Sequence, residues 1–115
     1  MLHQIVKKVS HTKPQMLIHC VGIGGIGVSA LARWYKSQGW VVSGSDLKSS
    51  IVTQELAKEG IRIFIGPHEA SHVPKQASLV VYTADALLNN PERREARRLG
   101  IPQNSYAEAL GGLTR

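Results

Sequence analysis

Residues 16–32 have the sequence MLIHCVGIGGIGVSALA, and this stretch decides the fold of the 115-residue chain. Met16 to Val21 is a nearly continuous apolar run, as expected for a β-strand that is covered on both faces. The next six residues, Gly22-Ile23-Gly24-Gly25-Ile26-Gly27, satisfy the pattern G-x-G-x-x-G with one additional glycine. From Gly27 to Gln38, apolar side chains recur at helical spacing. The stretch therefore predicts a strand, a glycine turn and a helix.

The rest of the chain continues this alternation. Helices are predicted after Ser49 or Ser50, after Asn90 and after Ser105, where capping residues begin each one. Further strands are predicted at residues 40–43, 61–65, 78–82 and 101–104. Such alternation predicts an α/β fold: a Rossmann-like doubly wound parallel sheet of about five strands with helices on both faces. Residues 16–115 would form this domain, and residues 1–15 a flexible basic leader.

The glycine turn also predicts a ligand. In this motif glycines permit a tight turn, close approach of the backbone to a phosphate, and close packing of the helix, and Gly24 is the expected point of approach. The helix N-terminus offers unpaired N–H groups and partial positive charge to an anion. Asp46 ends the second strand, where a carboxylate can accept hydrogen bonds from ribose hydroxyls. Together these features predict a site for a nucleotide with a diphosphate, and NAD would satisfy them equally.

The net charge of +6, from 14 basic and 8 acidic residues, favours an anionic partner. Nucleic acid is not expected, because the sequence has neither a recognition motif nor the aromatic residues of such modules. The arginine-rich segment is interpreted as a solvated helix face. The basic residues concentrate at Lys7, Lys8 and Lys13, and at Arg93, Arg94, Arg97 and Arg98.

Compartment and membrane association can also be predicted. Cys20 is the only cysteine, so no internal disulfide can form, which fits a reducing, cytoplasmic compartment. It lies in an apolar run and is interpreted as a buried strand residue rather than a nucleophile. The start of the chain lacks a secretory signal, and residues 16–32 fall short of the roughly 20 residues of a membrane-spanning helix.

Several segments resemble the N-terminal domain of the Mur ligase family of peptidoglycan synthesis. The most specific is the glycine segment at residues 18–32. The others are Ser43-Gly44-Ser45-Asp46, Ile65-Gly66-Pro67-His68 with one extra residue, Val80-Val81-Tyr82-Thr83, Asn90-Pro91-Glu92, Gly100-Ile101-Pro102 and Ala107-Glu108-Ala109-Leu110.

The resemblance implies a function. In the branch of the family that uses L-alanine, a first domain holds UDP-N-acetylmuramate, a second holds ATP and magnesium, and a third completes the amino-acid site. The muramyl carboxylate is phosphorylated and the amine of L-alanine attacks the acyl phosphate. This chain has no G-x-x-x-x-G-K-[ST] loop, so it is expected to carry only the first domain. The fragment would bind the UDP-sugar without catalysing, and its partners would be the missing ATP-binding and C-terminal domains.

Candidate contacts follow from the motif and the resemblance. The residues predicted at the diphosphate are Gly22, Gly24, Gly25, Ile26 and Gly27. Ser45 and Asp46 are expected near the uridine, and His68 and Thr83 are second-rank contacts, with His72 weaker still. Asp85 is left out because a carboxylate would repel a diphosphate. His19 is interpreted as a hydrogen-bonded sheet residue, and no catalytic or metal-binding residue is assigned.

Two alternatives remain open. An NAD-binding domain of a dehydrogenase or regulatory protein shares the glycine motif and Asp46, but it does not explain Tyr82-Thr83 followed by Asn90-Pro91-Glu92. A basic module that binds nucleic acid or a protein partner is supported only by the arginine-rich helix. Separate titrations with UDP, NAD and an oligonucleotide would discriminate between the three.

Overall fold

The computed structural model describes residues 15–113, so the predicted leader at residues 1–15 lies almost entirely outside the described residues. The strands are β1 Leu17–Val21, β2 Val41–Asp46, β3 Arg62–Ile65, β4 Leu79–Tyr82 and β5 Gln103–Ser105. The helices are α1 Ile26–Ser37, α2 Ile51–Lys58, α3 Pro91–Leu99 and α4 Tyr106–Leu113. A short 3-10 helix, Ala70–His72, lies between β3 and β4.

The five strands form one parallel sheet in the order β3-β2-β1-β4-β5. This order confirms the predicted doubly wound α/β fold. The chain builds outward from β1 in one direction through β2 and β3, and then in the other through β4 and β5. The change of direction leaves a crevice at the carboxyl ends of β1 and β4, which is where open α/β sheets bind ligands.

Alternate residues of β1 pack on opposite faces of the sheet. Ile18 and Cys20 join the apolar core formed with α1, α2 and α4, whereas Val21 packs in the core formed with α3. Cys20 is fully buried, and burial raises the pKa of its thiol to about 12. The prediction that Cys20 is a buried strand residue is confirmed.

Local signals placed most element ends correctly. Ser50 caps α2, and the Asn90 side chain accepts hydrogen bonds from the first turn of α3, which Gly100 ends in the left-handed conformation. The second strand runs from Val41 to Asp46, so residues 44–46, which were predicted to close the strand after Ser43, are themselves part of it. Gly44 lets the side chain of Ile23 pack against this part of the strand, since a Cβ there would collide with it.

The prediction of a solvated arginine face was wrong for Arg93. Its side chain is buried, with the guanidinium carbon 3.6 Å from the centre of the Tyr82 ring. It donates hydrogen bonds to the Ala86 carbonyl at 2.9 Å and to Gln103 Oε1 at 3.0 Å. Arg93 therefore anchors the loop after β4, while Arg94 and Arg97 stay exposed as predicted.

No helix within residues 15–113 is long and apolar enough to cross a membrane.

Candidate functional site

A cleft of about 400 Å³ lies at the carboxyl ends of β1, β2 and β4. A second pocket of about 390 Å³ lies on the other side of Gly25 and Thr83, against Tyr106. The predicted site residues that line the cleft are Gly22, Gly25, Asp46, His68 and Thr83. Ile26 and Gly27 line the second pocket, whereas Gly24 and Ser45 line neither of the two.

Backbone hydrogen bonds hold the glycine turn onto the sheet. The N–H groups of Gly22 and Ile23 donate to the Ser45 carbonyl at 2.9 and 3.0 Å, and the Gly25 N–H donates to the Gly22 carbonyl. Gly22 has φ +81°, and a Cβ there would collide with the methyl group of Thr83. Glycine is therefore required at position 22 both by the turn and by the close approach of β4.

Gly24 does not line the cleft, but it contacts Asp46, which does. Its N–H donates to Asp46 Oδ2 at 2.8 Å, and an added Cβ would lie 2.8 Å from that oxygen and 3.0 Å from Thr53 Cγ2. A side chain at Gly24 would thus press on Asp46 of β2 and Thr53 of α2, and the approach of a phosphate to Gly24 stays a prediction. Asp46 holds the turn with one carboxylate oxygen, while Oδ1 makes only a 3.5 Å contact with the Lys48 N–H.

The beginning of α1 supplies the polar groups suited to an anion. Gly25 is the N-cap residue, with no side-chain cap and no acidic residue in the first turn. The N–H groups of Ile26, Gly27 and Val28 therefore lack acceptors within the helix, and the helix dipole adds partial positive charge there. A Cβ on Gly25 would meet only the Gly22 carbonyl oxygen, at 3.6 Å, so the space beside this turn is open.

Gly27 has a packing role. A Cβ there would overlap the ring of Tyr106 at the start of α4, so glycine lets these two helices approach closely. The last glycine of the motif thus serves close packing of the helix, as expected.

Behind the cleft lies a buried carboxylate that the sequence reasoning did not single out. Glu92, in the first turn of α3, is fully buried. Its Oε1 is 2.6 Å from His19 Nε2 and accepts the hydroxyl proton of Ser45 at 2.7 Å. Its Oε2 lies 3.0 Å from His68 Nδ1 and 2.9 Å from His72 Nδ1. We call His19, Ser45, His68, His72 and Glu92 the Glu92 cluster.

The cluster satisfies the carboxylate on both oxygens. The backbone N–H of Glu69 adds a further donor to Oε2 at 3.3 Å, and no buried side-chain polar atom in residues 15–113 lacks a hydrogen-bond partner. Burial alone would raise the pKa of Glu92, but hydrogen bonds from His19, His72 and Ser45, together with the charge interaction with His19, outweigh it and lower the pKa to about 2. Glu92 is therefore a stable buried anion.

Two histidines of the Glu92 cluster and Asp85 also have defined surroundings. The interpretation of His19 as a hydrogen-bonded sheet residue is confirmed, since it is buried and also contacts Ser43 Oγ at 2.8 Å. His72 bonds to Glu92 and stacks on the Phe64 ring, with centroids 4.4 Å apart. Asp85, left out of the prediction, lines the cleft. Residues 15–113 contain no group of three or more His, Cys, Asp or Glu arranged to hold a metal ion.

The strand order, the glycine turn and the cleft at the change of direction define a Rossmann-like α/β domain. This chain belongs to the Mur ligase family: the family model described as "Mur ligase family, catalytic domain" matches residues 17–115. The predicted resemblance to that family is confirmed.

Individual similar proteins are consistent with this family assignment. The UDP-N-acetylmuramate–L-alanine ligase of Campylobacter jejuni strain RM1221 is 50% identical over 93 residues, which cover 81% of this chain and 21% of the relative. The crystal structure of the UDP-N-acetylmuramate–alanine ligase MurC from Thermotoga maritima matches with a TM-score of 0.78 and 38% identity, over 84% of this chain and 22% of that one. The chain thus spans about a fifth of the length of these relatives.

A third similar protein has a related name. The UDP-N-acetylmuramate:L-alanyl-γ-D-glutamyl-meso-diaminopimelate ligase from Neisseria meningitidis matches with a TM-score of 0.73 and 27% identity, over 84% of this chain and 30% of that one. Membership of the family favours the Mur ligase interpretation over the two alternatives considered from sequence.

Proposed function

We propose that this domain binds UDP-N-acetylmuramate, as the N-terminal part of an ATP-dependent ligase that adds L-alanine to that sugar nucleotide in peptidoglycan synthesis. The observation that carries the proposal is the uncapped beginning of α1: Gly25 borders both the cleft and the second pocket, and Ile26, Gly27 and Val28, whose N–H groups lack acceptors within the helix, line the second pocket. Diphosphates bind at such helix ends because the N–H groups and the helix dipole both favour negative charge.

The other cleft residues orient the nucleotide. Asp46 keeps Oδ1 available for a ribose hydroxyl, since its other oxygen is used by Gly24. Asp46 and Asp85 both line the cleft, so the diphosphate should lie away from them, between α1 and Thr83. Ser45 supports the site from behind, because its hydroxyl is committed to Glu92 and its carbonyl to the glycine turn.

The remainder of the reaction belongs to the proposed parent enzyme. ATP and magnesium would bind to the second domain of that enzyme, and no cofactor is assigned to residues 15–113. The 115-residue chain alone is therefore proposed to bind without turnover, in the cytoplasm, with UDP-N-acetylmuramate as its ligand. Affinity should be modest, since the cleft supplies only one wall of the complete site and fewer contacts offset the entropy of binding.

The test is a titration of the 115-residue chain with UDP, with UDP-N-acetylmuramate and with NAD, followed by amide chemical shifts. Shifts should concentrate at residues 22–27 and near Asp46 for the two uridine nucleotides. Gly25→Asp should weaken UDP binding at least tenfold, because its carboxylate would cap α1 and repel the diphosphate. Gly25→Asn is the uncharged match, and it should weaken binding less.

The control for net charge is Ala30→Asp, which adds the same charge to the exposed side of α1 away from both pockets. It should bind UDP nearly as the parent does. If Gly25→Asp binds as well as Ala30→Asp, the diphosphate does not lie at the beginning of α1. If NAD shifts the same amides at much lower concentration than either uridine nucleotide, a dinucleotide-binding function replaces the one proposed.

A further inference from the structure

We propose that Glu92 is a positioning residue for His68: it fixes the imidazole with Nδ1–H directed inward, which leaves Nε2 to accept a hydrogen bond from the nucleoside part of a ligand in the cleft. The inference rests on the proposed function for the identity of that ligand. The orientation of His68 itself is a property of the free domain, and it can be tested without any ligand.

Nδ1 of His68 faces two polar side chains. It lies 3.0 Å from Glu92 Oε2 and 3.1 Å from Ser45 Oγ. The carboxylate is acceptor-only when ionised, and the hydroxyl proton of Ser45 is already given to Glu92 Oε1 at 2.7 Å. Neither neighbour can donate to Nδ1, so Nδ1 must carry the proton.

Nε2 lies on the opposite side of the His68 ring. His68 lines the cleft and its side chain is 14% exposed, and Nε2 makes no hydrogen bond with another of residues 15–113. When one ring nitrogen of a neutral histidine carries the proton, the other is an acceptor. The cleft therefore presents a fixed acceptor at His68, suited to a ribose hydroxyl or to an imide N–H of a base.

The Glu92 carboxylate is held rigidly. His19, Ser45 and His72 hold Glu92 on both oxygens, and each comes from a different segment of the fold. A carboxylate with this many fixed donors cannot rotate without leaving a buried donor unpaired, which is costly. In the same way, carboxylate partners orient the histidine ligands of metal sites, where their loss typically costs 10–100-fold in affinity or activity.

The acidic and basic groups around His68 fit this arrangement. Glu92 approaches it from α3, Asp46 lines the same cleft from β2, and Asp85 lines it from the loop after β4. His72 shares Glu92 Oε2 with His68 but has its other nitrogen 3.3 Å from Glu69 Oε2, so both of its ring nitrogens face carboxylates. Among the three histidines of the Glu92 cluster, His68 is the one that borders the cleft.

The experiment uses the 115-residue chain with 15N-labelled histidine and long-range proton–nitrogen spectra near pH 8. His68 should show a protonated Nδ1 and an unprotonated Nε2. In Glu92→Gln only one of the two oxygens remains an acceptor and the other position carries an NH2 donor, so this single tautomer should give way to a mixture or to Nε2–H. Glu95→Gln is the matched control on the same helix, because Glu95 pairs with the exposed Arg98, and it should leave His68 unchanged.

A double-mutant cycle separates positioning from general stability. Glu92→Gln should weaken UDP binding by about tenfold in the parent but by much less in a His68→Ala background, because the effect passes through His68. Equal losses in both backgrounds, or Nε2–H at His68 in the parent, would overturn the inference. If Glu92→Gln fails to fold, the tautomer of His68 in the parent decides it. Failure of the parent to bind UDP would overturn the proposed function, and with it the assigned ligand, whatever the tautomer.

Discussion

The glycine turn and the Glu92 cluster lie side by side at the same end of the sheet, but they are built in opposite ways. The turn consists of six consecutive residues that present backbone groups. The cluster consists of five side chains brought together from separate parts of the chain. Ser45 joins them, because its carbonyl accepts from the turn and its hydroxyl donates to Glu92. The glycine turn, whose backbone groups are proposed to contact the ligand, is encoded in consecutive residues. The Glu92 cluster, which supports the turn, exists only in the folded state.

The largest effect should come from the cluster. Glu92→Ala removes a buried anion and leaves His19 Nε2 and the Ser45 hydroxyl without their acceptor, so we expect the free energy of unfolding to fall by about 3–5 kcal/mol. Urea denaturation of the parent and the variant measures it. Glu55→Ala, which removes an exposed carboxylate 3.5 Å from Arg33, should stay within about 0.5 kcal/mol. A loss below 1 kcal/mol in Glu92→Ala would mean that the cluster contributes little to folding.

This contrast explains what could be predicted from sequence. The turn, Asp46 and the parallel sheet follow from patterns a few residues long, and the glycine segment was also the most specific part of the resemblance to the Mur ligases. The hydrogen bond between His19 and Glu92 joins residues 73 positions apart, and no local pattern records it. Glu92 stands second after the N-cap Asn90, where an acidic residue is already explained by the helix dipole.

The direction in which a side chain points was harder to predict from sequence than the element on which the residue lies. Arg93 looked like one of four equivalent basic residues, and only the packing of α3 against β4 determines that it, rather than Arg94, covers Tyr82. Gly24 was recognised as part of the motif, but the sequence could not indicate whether its missing side chain would point at a ligand or at Asp46. Such directions depend on the backbone path and on neighbouring elements.

Lowering the pH should remove the contribution of the Glu92 cluster to the free energy of unfolding. Because the pKa of Glu92 is about 2 in the folded state and ordinarily 4.5, its stabilising contribution is complete above about pH 4.5 and is lost as the pH falls towards 2. The loss should amount to roughly 3 kcal/mol. Urea denaturation at intervals from pH 5 to pH 2 measures it in the parent and in Glu92→Gln.

The variant isolates Glu92 from the other carboxylates of the chain, which titrate in both proteins. The free energy of unfolding should fall more steeply with acid in the parent than in Glu92→Gln, so that the two curves converge near pH 2. Curves of equal slope between pH 5 and pH 2 would show that Glu92 titrates alike in the folded and unfolded states, contrary to its burial among donors.

Substitutions at two neighbouring glycines test the glycine turn, and they have the smallest expected effect. Gly24→Ala places a Cβ 2.8 Å from Asp46 Oδ2 and 3.0 Å from Thr53 Cγ2, so Asp46 must move and its hydrogen bond with the Gly24 N–H weakens. We expect a loss of about 1–3 kcal/mol in the free energy of unfolding. Gly25→Asn faces open space and supplies an N-cap side chain that α1 lacks, so stability should be unchanged or higher by up to about 1 kcal/mol. Urea denaturation of both variants measures these values.

UDP affinity should fall in both variants, but in Gly24→Ala through displacement of Asp46 and in Gly25→Asn through occupation of the helix N–H groups. A Gly24→Ala protein as stable as the parent would show that Asp46 does not hold the turn, and the local half of the site would then be less rigid than its hydrogen bonds indicate.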